Sequence, residues 1–283
     1  MTAAISTAIL EGLAKGQVIP YLGPAVLELD GPSAVPSAPE TLVELLTAKV
    51  TVPHKIRKNL TAAGQYIENF KHRKTLVNLT NEAFSAPPAP TGLHHYLAGL
   101  PLPLIVDAWY DAGMATALAN RSDFGQVQGV SQSEHFGEWV HYFNADGSPA
   151  EAEAAAGWKT LLYKPLGSVA PASNYILSDS DYVEVLTEID IQTPIPERVK
   201  EIRAGRNFLF LGCRFRTQLE RTYARQVMKR SSDKHWAVLP DELTRNELRF
   251  LSEQNIERID LPLKEFVEGL CAQETSAPIA AVA

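Results

Sequence analysis

The sequence predicts an α/β chain: a parallel sheet flanked by helices, with a helical insertion. Two observations predict it. Apolar runs of strand length recur as QVIPYLG (17–23), LPLIVDAW (102–109), NFLFLG (207–212) and HWAVLP (235–240). Runs that stay apolar at consecutive positions suit strands buried on both faces, as parallel strands are. In the last third of the chain these runs alternate with helical segments, which implies parallel βαβ units.

Taken in order, residues 3–15 form a helix, because Ile5, Ile9, Leu10 and Leu13 recur at helical spacing and Gly16 stops it. The first strand follows and ends at Gly23. GPSAVPSAPE (31–40) is a loop by its proline and serine content. Residues 40–49 and 55–84 are helical, with Ala62, Ala63, Tyr66, Ile67 and Phe70 on one face. APPAPTG (86–92) is a loop, LHHYLAGL a short helix, and 102–109 the second strand. The region 120–157 is polar and is expected to be irregular, with one strand around Trp139–Phe143. TLLYKPLG (160–167) and NYILSD (174–179) are strands or edge pieces. SDSDYVEVLTEI starts a helix that Ser178 or Ser180 can cap. PERVKEIRAG is a short helix. Beyond it come a strand at 207–212, an amphipathic helix at 218–230, a strand at 235–240, a helix with Asp241 at its start, a strand at 256–262 and a closing helix. One domain is expected over 1–271, with a helical insertion at about 40–90, an irregular one at about 119–158, and a flexible tail at 272–283.

Composition excludes several classes. Twenty-six Lys and Arg stand against 33 Asp and Glu, for a net charge of −7. That argues against a general nucleic-acid binder, which needs a basic stripe. No apolar run approaches the roughly 20 residues that span a bilayer. The opening residues lack a basic n-region and a small-residue cleavage site, so no signal peptide is expected. Two cysteines, Cys213 and Cys271, make neither a disulfide framework nor a four-thiolate zinc site. A reduced, cytoplasmic protein is the expectation.

The first strand ends YLGPAV. A glycine at that place lets backbone approach a nucleotide pyrophosphate, but G-x-G-x-x-G needs two more, and Pro24 removes one N–H donor. The order of segments says more. VIPYLGPAV resembles the "flGAGvS" opening of sirtuin-like proteins. HHYLAGLPLPLIVDAWYDAGMATAL resembles their "H..la.lplplivTTNyDdllEkAL", and LLYKPLGSVAPASNYILSDSDYVEVL their "l.KlHGsi.dp.slvlt..dY..ll". NFLFLGCRFRTQLER resembles "llFlGySlrDpdlr", and residues 235–270 resemble the closing βαβα segment. The resemblance implies a Rossmann-like core that binds NAD.

Carried over one position at a time, the resemblance also implies lost chemistry. The Gly-Ala-Gly turn falls on Gly23, Pro24 and Ala25, where only the first glycine is kept. The asparagine that meets the nicotinamide ribose falls on Trp109, with Tyr110 and Asp111 kept beyond it. The general-base histidine falls on Leu166, between a matching Lys164 and matching Gly167 and Ser168. The serine after Gly212 falls on Arg214. Leucine accepts no proton, and tryptophan has one donor and no acceptor. A degenerate cofactor cleft is therefore expected at Gly23, Pro24, Trp109, Asp111, Leu166, Gly167, Ser168, Gly212 and Arg214, in a pseudoenzyme without a bound cofactor. The alternative is a protein that still binds NAD or ADP-ribose as a sensor, or hydrolyses NAD with Tyr110, Asp111 and Ser168. The whole pattern resembles a nitrogenase-associated accessory factor. That implies a protein partner, the inactive or immature molybdenum–iron component of nitrogenase.

Other residues are read more plainly. The adjacent His94 and His95 point to different faces. His135 and His141 are six apart, no simple ligand spacing, in an aromatic stretch that is a core hairpin or a partner surface anchored by Trp139. Asp179, Asp181 and Glu184 are expected to be a capped, solvated helix start in preference to a cation site. Cys213 is a packed small residue. Arg214, Arg216, Arg221, Arg225, Lys229 and Arg230 form the clearest basic cluster, a solvated helix face or a surface on which an acidic partner can dock, with Arg214, Arg216, Arg221 and Arg225 the partner-binding candidates.

Overall fold

The computed structural model describes residues 6–87, 89–191 and 194–272. The first residues of the helix expected at 3–15, and all of the expected tail beyond Ala272, lie outside the described residues. Strands β1 (Val18–Leu22), β2 (Leu104–Asp107), β3 (Phe124–Gly129), β4 (Val140–Asn144), β5 (Pro149–Ala150), β6 (Thr160–Lys164), β9 (Asn207–Leu211), β10 (His235–Val238) and β11 (Ile256–Ile259) form one nine-stranded sheet. Its order is β11-β10-β9-β1-β2-β6-β3-β4-β5. All neighbours from β11 to β3 are parallel, while β4 and β5 add antiparallel pairs at the edge. A separate two-stranded pair joins β7 (Gly167–Ser168) to β8 (Asn174–Tyr175).

Both faces of the sheet are covered, which explains strands that are apolar throughout. In β1, Ile19 and Tyr21 face one core and Val18 and Leu22 the other; in β9, Phe208 and Phe210 oppose Leu209 and Leu211. The first core takes in α7 (Asp179–Ile191), α8 (Glu197–Arg203), α9 (Gln218–Met228) and α10 (Arg245–Glu253). The second takes in α1 (Thr7–Ala14), α5 (Gly92–Gly99), α6 (Gly113–Leu118) and α11 (Leu263–Ala272). A third core joins the insertion helices α2 (Pro39–Lys49), α3 (Leu60–Lys71) and α4 (Arg73–Ala83) to Trp109, Tyr110 and Tyr175 beyond the strand ends.

The structure corrects four expectations. The helix expected over 55–84 is two, separated at His72, whose φ of 70° is incompatible with helix. Phe70, assigned to the buried face of that helix, is 65% exposed and stacks on Tyr66. The region 120–157 holds β3 as well as the strand near Trp139, and β3 lies inside the sheet. Its composition hides it: buried Gln126 donates to Ala170 O, and buried Gln128 to Ser168 O and Ala172 O. Finally, Thr244 and not Asp241 caps α10, in a box with Glu247. At the other uncertain cap, Ser178 is the residue used: its Oγ accepts from Asp181 N, while Asp181 accepts from Leu177 N and Ser178 N. Asp181 also pairs with Arg73 at 2.7 Å and is buried, so the acidic group does start a capped helix, but at Asp181 the expected solvation is replaced by a buried ion pair.

Candidate functional site

The chain passes from β1 to β2 and onward to one side, then returns to place β9 on the other side of β1. That reversal opens a crevice at the carboxyl ends of the two strands, where ligands of doubly wound sheets bind. A cavity of about 530 Å³ lies there. Its wall includes Gly23, Pro24, Trp109, Tyr110, Leu166, Tyr182, Gly212, Cys213, Arg214 and Tyr223.

Gly23 and Gly212 are glycines because two loops cross in contact. A Cβ on Gly23 would lie 2.5 Å from Gly212 O, and one on Gly212, at φ 69°, would lie 2.8 Å from Val26 N. The crossing uses up the backbone donors of the turn. Gly23 N donates to Leu211 O at 2.8 Å, Ala25 N to Gly212 O at 3.2 Å, and Val26 N to Gly23 O at 3.3 Å. Pro24 has no N–H. Phosphate-binding turns work by aiming such donors outward; here each is spent inside the chain.

The side chains are equally committed. Trp109 is buried, its indole N–H donating to Pro36 O at 2.7 Å and its ring packed on Phe84 and Tyr110. It walls the cavity while belonging to the core of the helical insertion. Leu166 is half-buried in the same wall. Tyr110 and Tyr223 donate their hydroxyls to Ile176 O and Pro165 O. Arg214 pairs with the fully buried Glu247 at 3.0 Å and donates to Glu242 O. Burial works to raise the Glu247 carboxyl, but hydrogen bonds from Arg214 and Thr244 outweigh it and hold it at about 2. Burial pushes the Cys213 thiol well up, which favours the protonated thiol at neutral pH.

Three residues expected in the cleft are elsewhere. Asp111, Gly167 and Ser168 do not line the cavity. Asp111 Oδ1 closes a turn by accepting from Gly113 N at 2.6 Å, and Ser168 Oγ faces the Tyr110 and Asp111 carbonyls. Gly167 is a glycine for its φ of 85° and its closeness to Asn174 O. The matching Lys164 is also structural: it is buried, and its Nζ reaches Asp107 Oδ2 and Asp111 O at 2.7 and 2.8 Å.

The basic cluster is largely neutralised within the chain. Arg214 has Glu247, Arg216 has Glu40 at 3.5 Å, and Arg225 has Glu253 at 3.8 Å. Arg221 donates to the carbonyls of Phe215 and Arg216. Trp139 is half-buried against the first core. One group was set aside by sequence spacing and is brought together by the fold. His135 and His141 have ring centroids 4.6 Å apart, and with Glu138 they offer ligand atoms within 4.8 Å of one another. The signal available was a His-x-x-Glu-x-x-His pattern across a turn.

A doubly wound sheet with a cavity at its reversal point defines a Rossmann-like α/β protein, here with the N–H groups of the first turn paired inside the chain. The model of the SIR2-like domain family matches residues 103–259, from β2 to β11, and the chain belongs to that family. No curated protein matches the sequence.

Proposed function

We propose that this SIR2-like chain does not turn over NAD and serves as a protein-binding accessory factor. The observation that carries the first half is the turn after β1. A pyrophosphate there meets Pro24 and donors already paired with Leu211 O, Gly212 O and Gly23 O. The nearby wall offers Leu166 in place of a general base. NAD incubated with the purified chain is expected to release no nicotinamide. Release from the wild-type chain that stops when Leu166→Trp fills the cavity would overturn this half.

The second half is supported by the overall resemblance and by exposed apolar side chains. Phe136 is 95% exposed and is the best-placed aromatic anchor for a partner. In its most specific form the partner is the inactive or immature molybdenum–iron component of nitrogenase. Tagged protein from nitrogen-fixing cells is expected to retain that component, and Phe136→Ala to weaken the capture. Recovery of no nitrogenase subunit removes this form of the proposal.

The cavity supports a second reading, a sensor for NAD or ADP-ribose. Either ligand at millimolar concentration would then raise the melting temperature, because binding to the native state alone stabilises it. An unchanged melting temperature with both ligands favours the accessory factor without a nucleotide.

A further inference from the structure

We propose that His135, Glu138 and His141 bind a divalent transition-metal ion of the zinc class. His135 and Glu138 lie in the turn between β3 and β4 and His141 at the start of β4, at the carboxyl-end side of the parallel strands, and none of them lines the cavity. Two imidazoles and a carboxylate suit zinc and its neighbours, whereas magnesium and calcium prefer oxygen alone. Three protein ligands with a fourth position left to solvent is an open zinc arrangement. It is unlike a thiolate site, since neither Cys213 nor Cys271 takes part.

The geometry is close to what the ion requires. Bonds of about 2.1 Å in a tetrahedron place ligand atoms roughly 3.4 Å apart. His141 Nε2 and Glu138 Oε2, now hydrogen-bonded at 2.6 Å, must open slightly, while the three ligand atoms as a group, within 4.8 Å of one another, must close. Both adjustments fall mainly to Glu138, whose side chain is 63% exposed and can rotate. His135 is held from beneath by the buried Asn174, whose Oδ1 accepts from the ring Nε2–H at 3.0 Å and leaves the Nδ1 lone pair for a metal. A metal on His141 Nε2 requires Nδ1–H, so the 3.4 Å contact of that Nδ1 with the Asn174 Nδ2 donor opens when the ion binds. A polar partner on the far side of a ligand ring is how proteins orient metal-binding histidines.

The backbone is organised for the same purpose. His135 N donates to Ser131 O at 2.9 Å, Glu138 N to His135 O at 3.0 Å, and Gly137 N to Gln132 Oε1 at 2.9 Å. Gly137 has a φ of 86°, which lets the chain reverse between the first ligand and the second. His141 is fixed in β4, opposite Gln128 of β3. Arg73 ties Glu134, next to His135, at 3.1 Å. An exposed His–Glu pair alone is worth little; a third ligand and a buried amide orienting His135 are what make this a site.

The test uses full-length, chelator-treated protein with zinc, and with cobalt(II) as the optical probe. One ion per chain at micromolar concentration is expected, with the intense visible bands of low-coordinate cobalt and a raised melting temperature. Asn174→Ala is expected to weaken binding by about tenfold. The double variant His135→Ala with His141→Ala is expected to bind neither ion. Glu138 is exposed, so Glu138→Gln gives a second readout that leaves the fold intact, and it is expected to weaken zinc binding. A wild-type chain that takes up neither ion overturns the proposal. So does undiminished binding by the double variant, which would place the metal on other histidines.

Discussion

The centre and the edge of the sheet differ in what their loops do with polar groups. At the centre, the loops at the strand ends are satisfied within the chain: Gly23 N and Ala25 N cross to Leu211 O and Gly212 O, Val26 N closes on Gly23 O, Arg214 after β9 finds Glu247 of α10, and Trp109 after β2 finds Pro36 O. At the edge, the turn between β3 and β4 keeps two imidazoles and a carboxylate facing one another. The family's chemistry would sit at the centre. There the loop donors are paired internally, since an unpaired buried donor costs about as much as a lost hydrogen bond. Residues at the centre should therefore matter for stability, and those at the edge for ligands.

The largest expected effect is at the loop crossing. Gly23→Ala would put its Cβ 2.5 Å from Gly212 O and 2.8 Å from Cys213 Cα, both backbone atoms that cannot turn aside. A loss above about 4 kcal/mol, or failure to fold, is expected. Urea unfolding measures it. A stable Gly23→Ala protein would mean that the crossing is looser than described and that its donors can reach a ligand.

Trp109→Ala comes next. It removes a buried ring packed on Phe84 and Tyr110 and leaves Pro36 O without its donor. A loss of about 3–5 kcal/mol is expected in the same measurement. A loss near zero would make Trp109 a plug in the cavity and not a member of the core.

These two positions also mark how far sequence reasoning reaches. Buried strands are legible because both faces of the sheet are covered, which leaves β1, β9 and β10 apolar at consecutive positions. Strand β3 is not, because Gln126 and Gln128 are paid for by carbonyls of a loop some 40 residues later, which no local pattern contains. Leu166 and Trp109 are legible as cavity wall through the order of the segments. Asp111 and Ser168 look like surviving chemistry, yet their bonds to Gly113 N and to nearby carbonyls turn them into scaffold. The metal candidate escapes a spacing rule because its ligands meet across a turn, where distance along the chain no longer measures distance in space.

Acid should weaken the framework by a smaller and graded amount. Burial pushes His94 and His235 down to about 4, and each accepts a backbone N–H, from Thr91 and Phe208. Their folded values lie below the unfolded value near 6.5, so between these limits the unfolded chain holds more protons. Stability is fully present above about pH 6.5 and falls as pH drops towards 4, by at most about 1.4 kcal/mol per pH unit for each histidine. Urea midpoints over this range should show the slope, and His235→Gln should remove one histidine's share. A flat profile would mean that neither ring is held neutral by the fold.

The smallest expected effect is at the edge, and it is the one that most directly separates the two regions. His135 is half-buried and its side chain meets Asn174 and the ring of His141, so His135→Ala removes one polar contact and one ring contact at the surface. Without metal, its unfolding free energy is expected to stay within about 0.5 kcal/mol of the wild type, as for surface substitutions in general. With zinc present, the wild-type melting temperature should rise and that of His135→Ala should not. If His135→Ala instead costs as much as Trp109→Ala without metal, the turn is held together by the histidine itself, and the contrast between a structural centre and a ligand-binding edge is lost.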